Sequence, residues 1–251
     1  MKTTDARTSS VTTGTPDPTT NTADLSVENI VTTPALIGPN SPDSIGTYGE
    51  SNEQFLIGTA RTPGPSVPNR SSITVEAMES LYSPEEPGEY VNWGDYWVNG
   101  ERFPATAEET LLYTLPRPLE TDKIAINWSG GHQTLDEDVV DRLTRPPAEL
   151  EVTKFSTPDS VTSGEKVTLT LEVENVGSTS GIFVGALNRV GPQVAYTPVT
   201  GVTFELEGGE STTWTHSYTP FTDASSEERR MSFNMHWRGG HLSSETAVKP
   251  N

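Results

Sequence analysis

Trp237-Arg238-Gly239-Gly240-His241 repeats a pattern met once before, at Trp128-Ser129-Gly130-Gly131-His132. Each copy ends a run in which every second residue is apolar: Ile124, Ile126 and Trp128 in the first, Met231, Phe233, Met235 and Trp237 in the second. Apolar side chains at a period of two, running into Gly-Gly, describe a half-buried strand that enters a tight turn. Two such endings, one in each half, predict a chain made of two related β domains. A length of 251 residues has room for two units of about 100 residues each.

The second half carries the cleaner rhythm. Val167, Leu169, Leu171 and Val173 alternate with Thr168, Thr170, Glu172 and Glu174, which gives one face to a core and the other to water. Ser163-Gly164-Glu165, Asn175-Val176-Gly177 and Glu207-Gly208-Gly209-Glu210 supply turns. Further strands are expected from Leu150 and Val152, over 181–187, at Phe204 and Leu206, through Trp214, His216 and Tyr218, and over 231–237 and 244–248. About seven short strands in about 100 residues point to an immunoglobulin-like antiparallel sandwich.

The first half starts a strand at Leu25 and Val27, which Pro34, Gly38, Pro39 and Pro42 break. Strands follow over 53–59 and 72–78, separated by a loop holding Pro63, Pro65 and Pro68, and later over 109–115 and 123–128. Residues 85–103 read as a loop rich in acids, glycine and aromatics. Leu135, Val139 and Leu143 recur every fourth residue, with acids early and Arg142 late, which predicts a short helix in harmony with its dipole. Pro146-Pro147 then stiffens the joint. The expected organisation is a disordered Thr/Ser/Pro-rich tether over 1–23, an immunoglobulin-like sandwich with an aromatic loop insertion over 24–146, and a second sandwich over 147–251: an all-β protein of two tandem sandwiches.

Charge is the strongest compositional signal. There are 35 acidic against 16 basic residues, and eleven arginines against five lysines. Such a surface repels itself at low salt and is screened when salt is high, so a halophile's protein is expected. A nucleic-acid partner is disfavoured, because no basic patch is apparent that would displace phosphate counterions. The absence of cysteine excludes disulfides, thiolate metal sites and cysteine nucleophiles. No apolar run is long enough to span a membrane as a helix. Residues 1–10 lack the apolar core of a signal peptide, so the expectation is either that the chain stays inside the cell or that its export signal lies upstream.

The run S-G-E-K-V-T-L-T-L-E-V-E-N-V-G from Ser163, with L-E-G-G-E-S-T-T-W from Leu206 and Thr219-Pro220 after it, resembles the cell-adhesion-related domain called CARDB. That resemblance covers about residues 149–248 and implies an immunoglobulin-like module of microbial surface and secreted proteins, with no catalytic residues to carry over. The whole chain, with its acidic Thr-rich leader, both Trp-x-Gly-Gly-His closings and the Arg142-Leu143-Thr144-Arg145-Pro146-Pro147 junction, is similar to secreted or lipid-anchored proteins of halophilic archaea. An extracellular or cell-surface location follows as an expectation.

Three constellations carry candidate chemistry. Tyr90, Trp93, Tyr96 and Trp97 crowd into eight residues and predict an aromatic platform for a sugar ring or a protein partner, set against the alternative that they fold back over a small core. His236, His241 and Glu245 are candidate metal ligands, although His216 and His236 have opposite parity and are expected on different sides of their sheet. Asn69-Arg70-Ser71 and Asn127-Trp128-Ser129 fit the N-glycosylation pattern. No nucleophile elbow, phosphate loop or calcium loop occurs. The expectation is a non-catalytic surface or secreted interaction protein, without cofactor, that contacts protein or glycan; an envelope metal- or solute-binding protein and a structural component of a halophilic virus particle stand as alternatives.

Overall fold

The computed structural model describes residues 25–63, 69–223 and 227–251; the segment 1–23, read as a tether, lies outside them. Apart from one short α-helix and a single 3-10 turn at Arg70–Ser72, the regular elements of the described residues are strands, in five sheets. In the C-terminal half, β12 (Leu150–Ser156), β14 (Val167–Asn175) and β17 (Ser211–Tyr218) form one sheet. The sheet facing it runs β13 (Ser160–Thr162), β19 (Gly240–Lys249), β18 (Arg229–Trp237), β15 (Gly181–Val190), β16 (Thr197–Leu206). Pairing is antiparallel except between β13 and β19, and the order is that of an immunoglobulin-like sandwich. Val167, Leu169, Leu171 and Val173 fill the interior against Leu187, Met231, Phe233 and Met235, while Thr168 and Glu174 face water. The alternation in β14 is therefore the sandwich's inside and outside written along one strand.

The N-terminal half repeats this plan. β1 (Ser26–Thr33), β4 (Glu53–Arg61) and β9 (Thr110–Pro116) correspond to β12, β14 and β17. β11 (Gly131–Thr134), β10 (Ala125–Trp128), β5 (Thr74–Ala77) and β6 (Ser80–Tyr82) reproduce the order of β19, β18, β15 and β16. Both Trp-x-Gly-Gly-His copies form the hairpin between the last two strands: Trp128 pairs with Gly131 and Asn127 with His132, as Trp237 pairs with Gly240 and His236 with His241. In each the indole lies against the turn. A Cβ on Gly131 would stand 3.0 Å from Trp128 Nε1, and one on Gly239 2.8 Å from Trp237 Nε1. The glycines are there because the ring covers them.

Two inserted hairpins depart from the expected pattern. Where Pro34 to Pro42 were expected to break the chain and 85–103 to loop, β2 (Leu36–Ser41) pairs with β3 (Ser44–Tyr48), and β7 (Asp95–Val98) with β8 (Glu101–Pro104). Together they make a fifth sheet in the order β3-β2-β7-β8. Pro39 sits inside β2 because the pairing slips between Pro39 and Ser41, and its carbonyl accepts a hydrogen bond from the Tyr48 hydroxyl at 2.8 Å.

This extra sheet lies between the two sandwiches, so the molecule is a stack of five sheets with four apolar layers. Leu56, Leu111 and Tyr113 point into the first sandwich, against Val75 and Ile126. Their neighbours Phe55, Ile57 and Leu112 point the other way, onto Leu36, Tyr96 and Phe103 of the extra sheet. Double burial explains why β4 and β9 read as continuous apolar runs. The far face of the extra sheet, with Ala35, Ile37, Ile45 and Trp97, meets Val184 and Ala186 on the outside of β15. There Asn188 Nδ2 donates to the Ile45 carbonyl at 2.8 Å, and the Ile45 N–H donates to Asn188 Oδ1 at 2.9 Å. α1 (Glu137–Thr144) closes the first core with Val139 and Leu143, and the Leu143 carbonyl accepts from Gln54 Nε2 at 2.7 Å. Among the described residues no helix is long and apolar enough to cross a membrane.

Tyr113 makes the first core pH-sensitive. It is fully buried, its hydroxyl donates to the Ile73 carbonyl at 3.0 Å, and burial pushes its ionisation well above the ordinary tyrosine range. The unfolded tyrosine loses its proton near pH ~10 while the folded one keeps it, so stability present below that pH is lost as pH rises through and beyond it. Tyr113→Phe is expected to cost about 1 kcal/mol at neutral pH for the lost hydrogen bond. It should also make the alkaline loss of stability shallower than in the parent. Denaturant melts between about pH 8 and pH 11 read both effects; an unchanged alkaline slope would contradict the assignment.

Candidate functional site

β7 decides the fate of the aromatic cluster. Successive strand residues project to opposite faces, so Tyr96 turns inward and is buried at 2 % exposure, while Trp97 turns outward to the seam between the two halves. Tyr90 packs edge-on against Tyr48 and Phe55, with its hydroxyl 3.0 Å from Thr114 Oγ1. Trp93 stays in the preceding loop, 42 % exposed. The expected four-ring platform is therefore not formed: two rings are core, one is a lone surface ring, and Trp97 alone enters a groove.

That groove has a volume of about 530 Å³ and runs between the β7–β8 hairpin and β16. Trp97 forms one wall, with the Arg102 guanidinium 4.5 Å over its ring. The indole edge lies close to Gly201, where a Cβ would come within 3.3 Å of Trp97 Cε3 and 2.9 Å of Ile37 Cδ1. β16 borders it through Thr200, Thr203 and Glu205, while the Phe204 ring turns the other way and stacks on Phe183 at 5.2 Å in the second core. Asn99, Glu101, Arg142 and Glu205 bring polar ends to it. Glu205 is held by Arg145 at 2.7 Å, which ties the first sandwich's helix end to β16. Pairing of Arg102 with Asp95 is looser, at 3.9 Å with both side chains exposed.

Arg142 and Ile182 also border a separate cavity of about 40 Å³, lined in addition by Arg117 and Arg145. Arg117, Pro34 and Ile182 are shared in turn with a third cavity of about 180 Å³, which Trp237 and Arg238 border. Arg238, the variable position of the second Trp-x-Gly-Gly-His, donates from Nη1 to the carbonyls of Pro34 at 2.6 Å, Glu50 at 3.0 Å and Glu53 at 3.3 Å. Burial and the like charge of Arg238 together push Arg117 down to about 10. No sequence spacing pointed to this set, because Arg102, Arg117, Arg142 and Arg238 come from four separate elements.

His216 and His236 do not share a sheet, contrary to the expectation from parity: β17 belongs to one sheet of the second sandwich and β18 to the other. His216 stacks on Trp214 at 6.0 Å and meets Phe233 edge-on at 6.2 Å inside the second core. His236 and His241 are cross-strand partners on the other face, with ring centroids 6.0 Å apart. Burial and the neighbouring His241 hold His236 below the ordinary histidine range. Glu245 does not join them. Four residues along β19 is about 13 Å, and its carboxylate pairs instead with Arg230 at 2.8 Å. Among the described residues no group of three or more His, Cys, Asp or Glu side chains is placed to hold a metal. Of the glycosylation candidates, Asn69 is exposed, its Oδ1 accepting from Ser71 N at 3.2 Å, whereas Asn127 lies within β10 and donates to Glu76 Oε2 at 2.6 Å.

No protein-family model matches the chain, and no curated protein sequence does. Parts of solved structures are similar. The alkylpurine DNA glycosylase AlkC of Pseudomonas fluorescens, bound to DNA containing an abasic site analog, aligns at 16% identity over 41% of this chain and 31% of its own, with a TM-score of 0.34. The β-glucosidase of Listeria innocua in complex with isofagomine aligns at 17% identity over 40% of this chain and 16% of its own, TM-score 0.33. A β-glucosidase from Erythrobacter marinus gives 13% identity, 40% and 15% coverage, and a TM-score of 0.34. The chain thus spans less than a third of each of these proteins.

Proposed function

We propose that this is a non-catalytic interaction protein of the surface of a salt-adapted microbe, and that it binds a saccharide chain in the groove between its two sandwiches. The observation that carries this is the Trp97–Arg102 wall: an indole and a guanidinium, stacked 4.5 Å apart, border a groove of about 530 Å³. Flat amphipathic groups of this kind suit the C–H face of a sugar ring, and the volume lies in the range of sites for small ligands. Asn99, Glu101 and Arg142 stand ready for hydroxyl groups. A docked seam, with Asn188, Arg145 and Arg238 spanning it, keeps the groove open without ligand and lowers the ordering cost of binding. The non-catalytic part of the reading is supported by the scattering of the histidines and by the engagement of Glu205 with Arg145. The net charge of −19 supports the saline setting, and the CARDB-like run in the second sandwich supports the surface location.

Calorimetric titration with oligosaccharides tests it. Trp97→Ala is expected to weaken binding by about tenfold or more, as loss of a central aromatic contact does. Arg102→Ala, which touches no core, should weaken it less, and Trp93→Ala should leave it unchanged. Equal affinity of the parent and both groove variants would refute the site, as would the absence of saccharide binding by the parent.

A further inference from the structure

The seam inverts the charge of the protein around it. In a chain of net charge −19, five of the eleven arginines, Arg102, Arg117, Arg142, Arg145 and Arg238, border these three neighbouring cavities, against two glutamates, Glu101 and Glu205. Three of the five are engaged: Arg145 by Glu205, Arg102 by Trp97 and Asp95, and Arg238 by three backbone carbonyls, with Glu50 and Glu53 near it. Arg117 and Arg142 differ. Among the described residues neither guanidinium has a hydrogen-bond acceptor or a carboxylate within ion-pair reach, yet both face the same cavity of about 40 Å³. Arg142 sits in the last turn of α1, where a cation suits the helix dipole. No such reason places Arg117 there, half-buried beside a second guanidinium.

Removing a cation from water without a counter-charge is costly, and a like charge alongside adds to the cost. Both costs are returned when an oxyanion enters, since guanidinium forks match carboxylate and sulfate oxygens two by two. The small cavity is near the ~30 Å³ that one liquid water occupies, enough for one such group. It shares Arg142 and Ile182 with the Trp97 groove.

We infer that the Arg117–Arg142 cavity is an oxyanion site, and that the saccharide is therefore acidic, a carboxylate or sulfate ester entering the cavity while a ring lies on the Trp97 wall. This rests on the saccharide reading above. The protein's overall negative field opposes a polyanion at low ionic strength and is screened at high salt, whereas the half-buried pair is screened much less. Binding is therefore measured at high salt.

The full chain is titrated with hexagalacturonate, with its methyl ester and with inorganic sulfate, each at the same ionic strength. The acid is expected to bind about tenfold tighter than the ester, the worth of one charge-assisted pair. Arg117→Gln should abolish that difference and leave ester binding as it was; Arg142→Gln, whose side chain also borders the groove, should abolish the difference too. Arg117→Gln removes an unpaired half-buried charge, so its melting temperature should not fall, which separates loss of the site from loss of the fold. Equal binding of acid and ester would overturn the oxyanion site while leaving the saccharide groove in place; failure of both to bind would overturn the two together. Sulfate binding as tightly as the hexamer would show a site for the free ion and overturn the sugar acid, and variants that keep the parent's preference would overturn the location.

Discussion

Asn188→Leu is expected to destabilise the protein by roughly 2–6 kcal/mol, although the new side chain is similar in size and apolar. Asn188 is 1% exposed and pairs with the backbone of Ile45 through both ends of its amide, at 2.8 and 2.9 Å, as a neighbouring strand would. Leucine would fill the space and leave one N–H and one C=O buried without partners, at about 1–3 kcal/mol each. For a chain of this size each kcal/mol is worth about 2–4 °C, so the melting point should fall by about 4–24 °C. The damage should be local in origin. The Ile45 amide should lose its protection from hydrogen exchange first, and a single unfolding transition should divide in two as the sandwiches lose their common layer. A protected Ile45 amide and a melting point within about 2 °C of the parent would show that the seam does not depend on this amide.

The importance of Asn188 illustrates what the sequence could and could not disclose. β14 is solvated on one face, and its strict alternation gave the sandwich directly; the two Trp-x-Gly-Gly-His runs marked equivalent hairpins because the indole needs those glycines wherever the hairpin occurs. Strands buried on both faces are less readable. G-I-F-V-G-A-L-N in β15 announces two-sided burial but not what lies on the second side. The partner there is a hairpin containing Pro39 and Gly38, residues that argue locally against a strand and are accommodated by a register slip and by Tyr48. The density of aromatics over 90–97 was legible, but the division of Tyr96 from Trp97 depends on where β7 begins. His241 and Glu245 are near in sequence and far in space because the element is a strand, with its rise of about 3.4 Å per residue. Charge composition gave the acidic average, whereas the arginine-rich seam is made by topology, from the end of β9, the helix α1 and the β18–β19 turn.

Arg238→Met is the sharpest probe of that seam, with an expected cost of about 2–3 kcal/mol. One charged nitrogen donates to three carbonyls on the first half, and bonds to charged donors contribute about 1.5–3 kcal/mol each, less than additively when they share an atom. The first Trp-x-Gly-Gly-His copy has Ser129 at this position, so the arginine is not required by the hairpin itself, and its loss should leave the turn intact. Its second role is electrostatic, since its charge bears on Arg117. Two like charges at this range repel by an energy on the order of 1 kcal/mol. Replacing either arginine relieves that repulsion, but replacing both relieves it only once. Arg117→Met combined with Arg238→Met should therefore be less stable than the sum of the single changes by that amount. The cycle is read by denaturant unfolding at high salt, where exposed pairs are screened and this one much less. Additivity within about 0.3 kcal/mol would mean that the two guanidiniums do not feel each other, and the case for an anion between the sandwiches would lose its electrostatic basis.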